Sequence, residues 1–113
     1  LKLLIELWEY GNANIIESIS DFDFCKELNF FHTIPKIKIK DDQVITFCYV
    51  INKLKKTIKD TKVSEVWENE ILESLNINSN TYKSKKTYLK QKDSSIDSKA
   101  IAKQIDDIFK PFL

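Results

Sequence analysis

A single glycine, Gly11, among 113 residues is the feature that most narrows what this chain can fold into. Glycine is the default residue for the left-handed positions of tight hairpins and for loops that cradle phosphate. GxGxxG and P-loop patterns both need more than one glycine, so nucleotide-binding enzymes of those classes are excluded. What remains open is a set of helices on short connectors. The apolar fraction of 42% suffices for a real core. The expected fold class is therefore all-α, a single helical domain over residues 1–113.

Periodicity places the helices. From Leu1 to Tyr10, Leu4, Leu7 and Trp8 recur at three and four, and Gly11 stands where a left-handed C-terminal cap belongs. Asn12 or Asn14 can cap a short second helix with Ile15, Ile16 and Ile19 inward. Asp21 or Asp23 can start a third, carrying Phe24, Leu28 and Phe31 and stopped by Pro35. Residues 36–40, Lys-Ile-Lys-Ile-Lys, alternate with period two. No second alternating segment exists to pair with them, so they read as an extended linker.

Asp41 and Asp42 put carboxylates ahead of the longest helix, about 42–58, with a stripe of Val44, Phe47, Cys48, Ile51, Leu54 and Ile58. Val63, Val66, Trp67, Ile71 and Leu75 define the next helix, with Glu65, Glu68, Glu70 and Glu73 pointing elsewhere. Residues 76–95 are rich in Asn, Ser and Lys and read as a polar loop or frayed helix. Ser94, Ser95 or Asp97 can cap a last helix with Ile101, Ile105, Ile108 and Phe109 inward, ended by Lys110 and Pro111.

Catalytic chemistry has little to work with. His32 is the only histidine and has no partner at metal-ligand spacing, and Cys25 and Cys48 belong to no CxxC pair. The pairs Asp21 with Asp23, Asp41 with Asp42, and Asp106 with Asp107 lack the glycine-containing loop of a calcium site and read as caps or solvated residues. No catalytic residue, cofactor or metal is assigned, and the protein is read as a non-enzyme. Both thiols are expected to be reduced and intracellular, since the chain carries no glycosylation sequon and no apolar run long enough to span a membrane. Without methionine and starting at Leu1, it reads as part of a longer protein.

All 18 cationic side chains are lysine, and with 17 acidic residues they leave a net charge of +1. The stretch from Tyr82 through Lys83, Ser84, Lys85 and Lys86 to Tyr88, Lys90 and Lys92 mixes lysine with tyrosine and could hold an acidic peptide or phosphates. It reads equally as a solvated loop in a lysine-rich chain. Trp67 and Trp8 on apolar stripes are read as core, as are both cysteines.

In order, these pieces resemble the conserved core of the eukaryotic Iws-one/Spn-one transcription elongation factors. Leu1-Lys2-Leu3-Leu4 resembles that core's first helix, and Ile15 to Asp21 with Phe24 to Pro35 is similar to its two helices closing on a Leu-Pro turn. Ile101-Ala102-Lys103-Gln104-Ile105 and Phe109-Lys110-Pro111-Phe112 resemble its last helix, which closes on an aromatic, a base and a proline. Tyr82-Lys83-Ser84-Lys85-Lys86 looks like its aromatic and basic segment. The family's Gly-Ile-Gly turn is absent near Asn69 to Leu72, and Phe109 stands where the family has Trp. The TFIIS N-terminal and integrase-binding domains share the same fold, and Val50 to Lys56 with Val63 to Val66 is similar to those too.

The resemblance implies a right-handed, HEAT/armadillo-like stack of about six helices whose C-terminal part is TFIIS N-terminal-like. It implies a nuclear, non-catalytic adaptor of the RNA polymerase II elongation machinery, binding a short disordered N-terminal segment of the histone chaperone Spt-six. Tyr82, Lys83, Lys85 and Lys86 are the partner-binding residues it points to. A nucleic-acid-binding or purely structural helical domain is the alternative.

Overall fold

A computed structural model describes residues 2–29, 35–91 and 94–113. Within them the chain forms six α-helices, α1 (Lys2–Gly11), α2 (Asp21–Leu28), α3 (Val44–Thr57), α4 (Thr61–Ser74), α5 (Ser79–Lys85) and α6 (Ile96–Phe109). Short 3-10 turns at Asp41–Gln43, Tyr88–Lys90 and Lys110–Phe112 complete the helical content. The protein is an all-α globule.

Local chemistry explains most boundaries. The Ser20 hydroxyl accepts the Asp23 N–H, the Asp60 carboxylate accepts from Val63, and the Ser95 hydroxyl accepts from Ser98. Each satisfies an N–H that the helix itself leaves unpaired. Asp41 and Asp42 occupy the 3-10 turn before α3 and make no capping bond there. Lys110 to Phe112 form the 3-10 turn that closes α6, with Pro111 in its first positions.

At the centre lies α3. Its residues are buried without a break from Thr46 to Asn52, so this stretch of the helix is covered on all sides rather than along one stripe. The pairs α1 with α2, α3 with α4, and α3 with α6 are in contact, α1 reaches α6, and α5 with the Tyr88–Lys90 turn also lies on α3. Ile51, Ile105 and Phe109 are wholly removed from solvent. Burial of such a side chain contributes about 2 kcal/mol each.

Several expectations change. Residues 12–19 form no helix: Ile15 and Ile16 are buried as predicted, but in a turn whose Asn14, Ile15 and Ile16 N–H groups all converge on the Gly11 carbonyl. Gly11 is the last residue of α1 and has no positive φ; the left-handed residue is Ala13 at φ 62°. The linker 36–40 is extended yet not unpaired, because Ile39 bridges antiparallel to Ile16. Helix α2 ends at Leu28 rather than at Pro35; Phe31 and His32 lie outside the described residues. The polar segment 76–95 holds α5, capped by the Asn78 side chain and pinned by buried Tyr82, with Leu89 buried after it. Val63 and Val66, expected inward, are 47% and 53% exposed, whereas Trp67, Ile71 and Leu72 carry the buried face of α4.

Asp106 is no simple solvated residue. Tyr49 donates to its Oδ1 at 2.5 Å, Lys53 approaches the same oxygen at 3.2 Å, and Lys90 reaches Oδ2 at 2.6 Å. One carboxylate thus joins α6, α3 and the turn after α5. Burial alone would favour its neutral form, but the hydrogen bonds from Lys90, Tyr49 and Lys53 outweigh it and hold the carboxyl below its ordinary pKa. A depressed native pKa contributes stability above the unfolded value, and that contribution is lost as pH falls through the native one. Asp106→Ala should cost about 2 kcal/mol in urea unfolding at pH 7. As pH falls through the lowered native pKa the gap between the wild-type and variant curves should narrow, because the native charge advantage is then lost.

Candidate functional site

The four residues singled out from sequence as partner-binding do not form one surface. Tyr82 is only 2% exposed, and its hydroxyl donates to Glu68 Oε2 at 2.6 Å. Burial, then the bond to Glu68, pushes its pKa well above the ordinary tyrosine value. It is a core residue that fastens α5 to α4, not a rim anchor. Seven residues of α5 cannot be a stable helix alone, so the only large apolar side chain in that helix is drawn inward.

Lys83 is exposed. Lys86 folds its ammonium over the Tyr82 ring at 5.5 Å and Lys85 over Tyr88 at 5.6 Å. These cation–π contacts are worth about 0.5–1 kcal/mol at exposed sites and take both lysines partly out of play. Lys90 is spent on Asp106. The basic stretch is therefore in part a structural clasp.

Glu68, read from its spacing as pointing away, is a second clasp. Its Oε1 pairs with Lys55 at 3.1 Å while Oε2 takes the Tyr82 hydroxyl, so it ties α3, α4 and α5 together. Cys25 and Cys48 are both free and buried, and burial pushes the Cys48 thiol up to about 11. Among the described residues no group of three or more His, Cys, Asp or Glu is placed to hold a metal ion. No described helix is long and apolar enough to cross a membrane.

Two open grooves stand out instead. The first, about 340 Å³, runs between the start of α1, the end of α2 and the α3–α4 corner, and is lined by Leu3, Leu4, Leu28, Leu54, Ile58, Val63 and Trp67 with Asn29 and Thr57. Its floor is fixed by the Trp67 indole, whose Nε1 donates to the Leu28 carbonyl at 2.9 Å. Val63 forms a partly exposed apolar rim. Lys59 and Lys62, which bracket that corner, are exposed and have no ion pair among the described residues. The second groove, about 430 Å³, lies between the extended segment and the α4–α5 turn, lined by Ile37, Lys38, Ile39, Val44, Leu75 to Asn78 and Thr81.

Neither groove was singled out from sequence. Val63 was counted into the stripe of its helix, yet it falls on the edge of the face defined by Trp67, Ile71 and Leu72. On a helical wheel centred on the mean direction of Trp67, Ile71 and Leu72, Val66 falls on the far side and Val63 at the margin. Comparison with known family models, with curated proteins and with solved structures finds no match.

Tyr82→Phe keeps the ring and removes the hydroxyl from Glu68. It should lower stability by about 1 kcal/mol in chemical denaturation. Lys83→Ala, which removes an exposed side chain with no partner among the described residues, should leave the unfolding midpoint where it is.

Proposed function

We propose that this chain is a non-catalytic protein-interaction domain of a nuclear transcription elongation factor of the Iws-one/Spn-one type. In this reading it captures a short disordered segment from the N-terminal region of the histone chaperone Spt-six and so serves the RNA polymerase II elongation machinery. The observation that carries the reading is the first groove: an open apolar channel with an aromatic floor, bordered by helices and flanked by lysines that meet no described acid.

Such a channel suits helix-in-groove or loop-in-groove recognition, in which a partner segment orders on binding and recovers that cost by inserting apolar side chains. Lysines at the neighbouring α3–α4 corner would steer an acidic segment rather than supply most of the affinity. Supporting the family likeness, Phe109 at the family's aromatic position is fully buried, and the Lys110-Pro111-Phe112 sequence makes a closing turn. In this reading the site lies on α1, α2 and the α3–α4 corner, not on the Tyr82 to Lys86 segment, where Lys85 and Lys86 are engaged with Tyr88 and Tyr82.

Titration calorimetry with a peptide from the chaperone's acidic N-terminal region should give a micromolar Kd, with amide chemical-shift changes at Leu4, Leu54 and Val63. Val63→Asp, at an exposed rim position, should weaken binding about tenfold without unfolding the domain. Absence of heat and of shift changes would remove the proposal, as would shifts confined to residues 82–92.

A further inference from the structure

We propose that the extended segment 36–40 is a docking edge for a second peptide, an extended acidic-apolar segment of a partner protein that adds itself as a β-strand in the second groove. This assignment rests on backbone geometry and stands apart from the elongation-factor reading.

Ile39 and Ile16 face each other as a bridge whose hydrogen bonds are made by their neighbours. Glu17 N–H donates to the Lys38 carbonyl at 2.8 Å and Lys40 N–H to the Ile15 carbonyl at 3.0 Å. In such an antiparallel pair, the facing residue turns its own N–H and C=O away from the partner strand. The N–H and C=O of Ile39 therefore point to the opposite edge, and neither has a hydrogen bond among the described residues. The C=O of Ile37 is likewise unbonded, while its N–H is held by Glu27 Oε1 at 3.1 Å. An unpaired strand edge is a ready template for another extended chain.

The space beside that edge is already open. The second groove runs alongside Ile37 to Ile39, with Val44, Leu75 and Ile77 offering apolar surface for alternate side chains of an added strand. The edge itself is held in place: Glu27 is buried and fixes the Lys36 and Ile37 N–H groups, so little ordering is left to be done on binding.

Charge selects the occupant. Among the described residues Lys38 is the only ionisable one lining the groove, and it is exposed and has no ion pair among them. A partner strand with a carboxylate opposite Lys38 gains from it. A second copy of this chain would instead bring its own Lys-Ile-Lys-Ile-Lys segment to the edge and set lysine against lysine, which disfavours self-pairing.

The test uses a short capped peptide alternating valine with glutamate, its counterpart alternating valine with lysine, and two forms of the acidic peptide N-methylated on one or the other alternate set of amides. Amide-resolved NMR titration should show shifts centred on Ile39 and Asn76 to Asn78, and slowed exchange of the Ile39 N–H. The Kd should be on the order of 0.1 mM, as suits a site with so few backbone bonds. One N-methylated form should lose binding and the other retain it, because only one set of amides faces the edge. The lysine peptide should not bind, and Lys38→Glu, at an exposed position, should weaken the acidic peptide about tenfold. Equal binding of both N-methylated forms would overturn the proposal, as would no binding of the acidic peptide or a concentration-dependent dimer whose contact is residues 36–40.

Discussion

The fold is arranged around one helix whose middle has no outside. Thr46 to Asn52 of α3 are buried in succession, so the helix can be stable only if other elements cover every side of it. That requirement explains why so short and polar a helix as α5 exists at all. Without Tyr82 and Leu89 lying on it, one flank of α3 around Cys48 would be open, and Cys48 is fully buried. It also explains why α1, far away in sequence, reaches α6.

Carboxylates, added to the apolar contacts, fasten the outer elements to their neighbours. Glu27 binds the extended segment to α2 through the N–H groups of Lys36 and Ile37; Glu68 joins α3, α4 and α5; Asp106 joins α6, α3 and the turn at Lys90. Partly buried charges are costly unless their lone pairs are occupied, and here each carboxylate has two or more donors. The resulting clasps are directional where apolar packing is not. They fix which way a short helix or an extended segment lies against α3.

Much of this was legible in the sequence, and the failures have physical causes. The all-α class and α3, α4 and α6 follow from helical periodicity over long segments, and Ser95, one of three candidate caps of the last helix, is the one used, whereas the Asp60 cap of α4 is seen only in the structure. Residues 12–16 failed because isoleucines at adjacent positions satisfy a buried turn as well as a helical stripe, and only the tertiary pairing of Ile16 with Ile39 decides between them. Gly11 failed because Ala13 takes the left-handed conformation in its place. Helix α5 was obscured because its packing rests on Tyr82 and Leu89, too few points to show a period. Tyr82 looked like an exposed anchor since its neighbours are lysines, yet a tyrosine buries readily when its hydroxyl finds a carboxylate. Glu68 and Asp106 could not be told from their exposed neighbours, because what distinguishes them is long-range: Tyr82 for one, Tyr49 and Lys90 for the other.

One helix end accounts for both grooves. The last carbonyls of a helix lack intrahelical partners, and at the end of α2 the Leu28 carbonyl is satisfied by the Trp67 indole, which sets the floor of the first groove. One residue earlier, the Glu27 carboxylate holds Lys36 and Ile37, which sets the edge of the second. Adjacent residues on one turn therefore place a wall of each groove, one through a backbone acceptor and one through a side-chain acceptor. Because both acceptors ride on the same turn, a shift of α2 cannot reshape one groove and leave the other untouched. The two surfaces differ in what they offer, side-chain pockets in one and unpaired backbone in the other, but they share a single support.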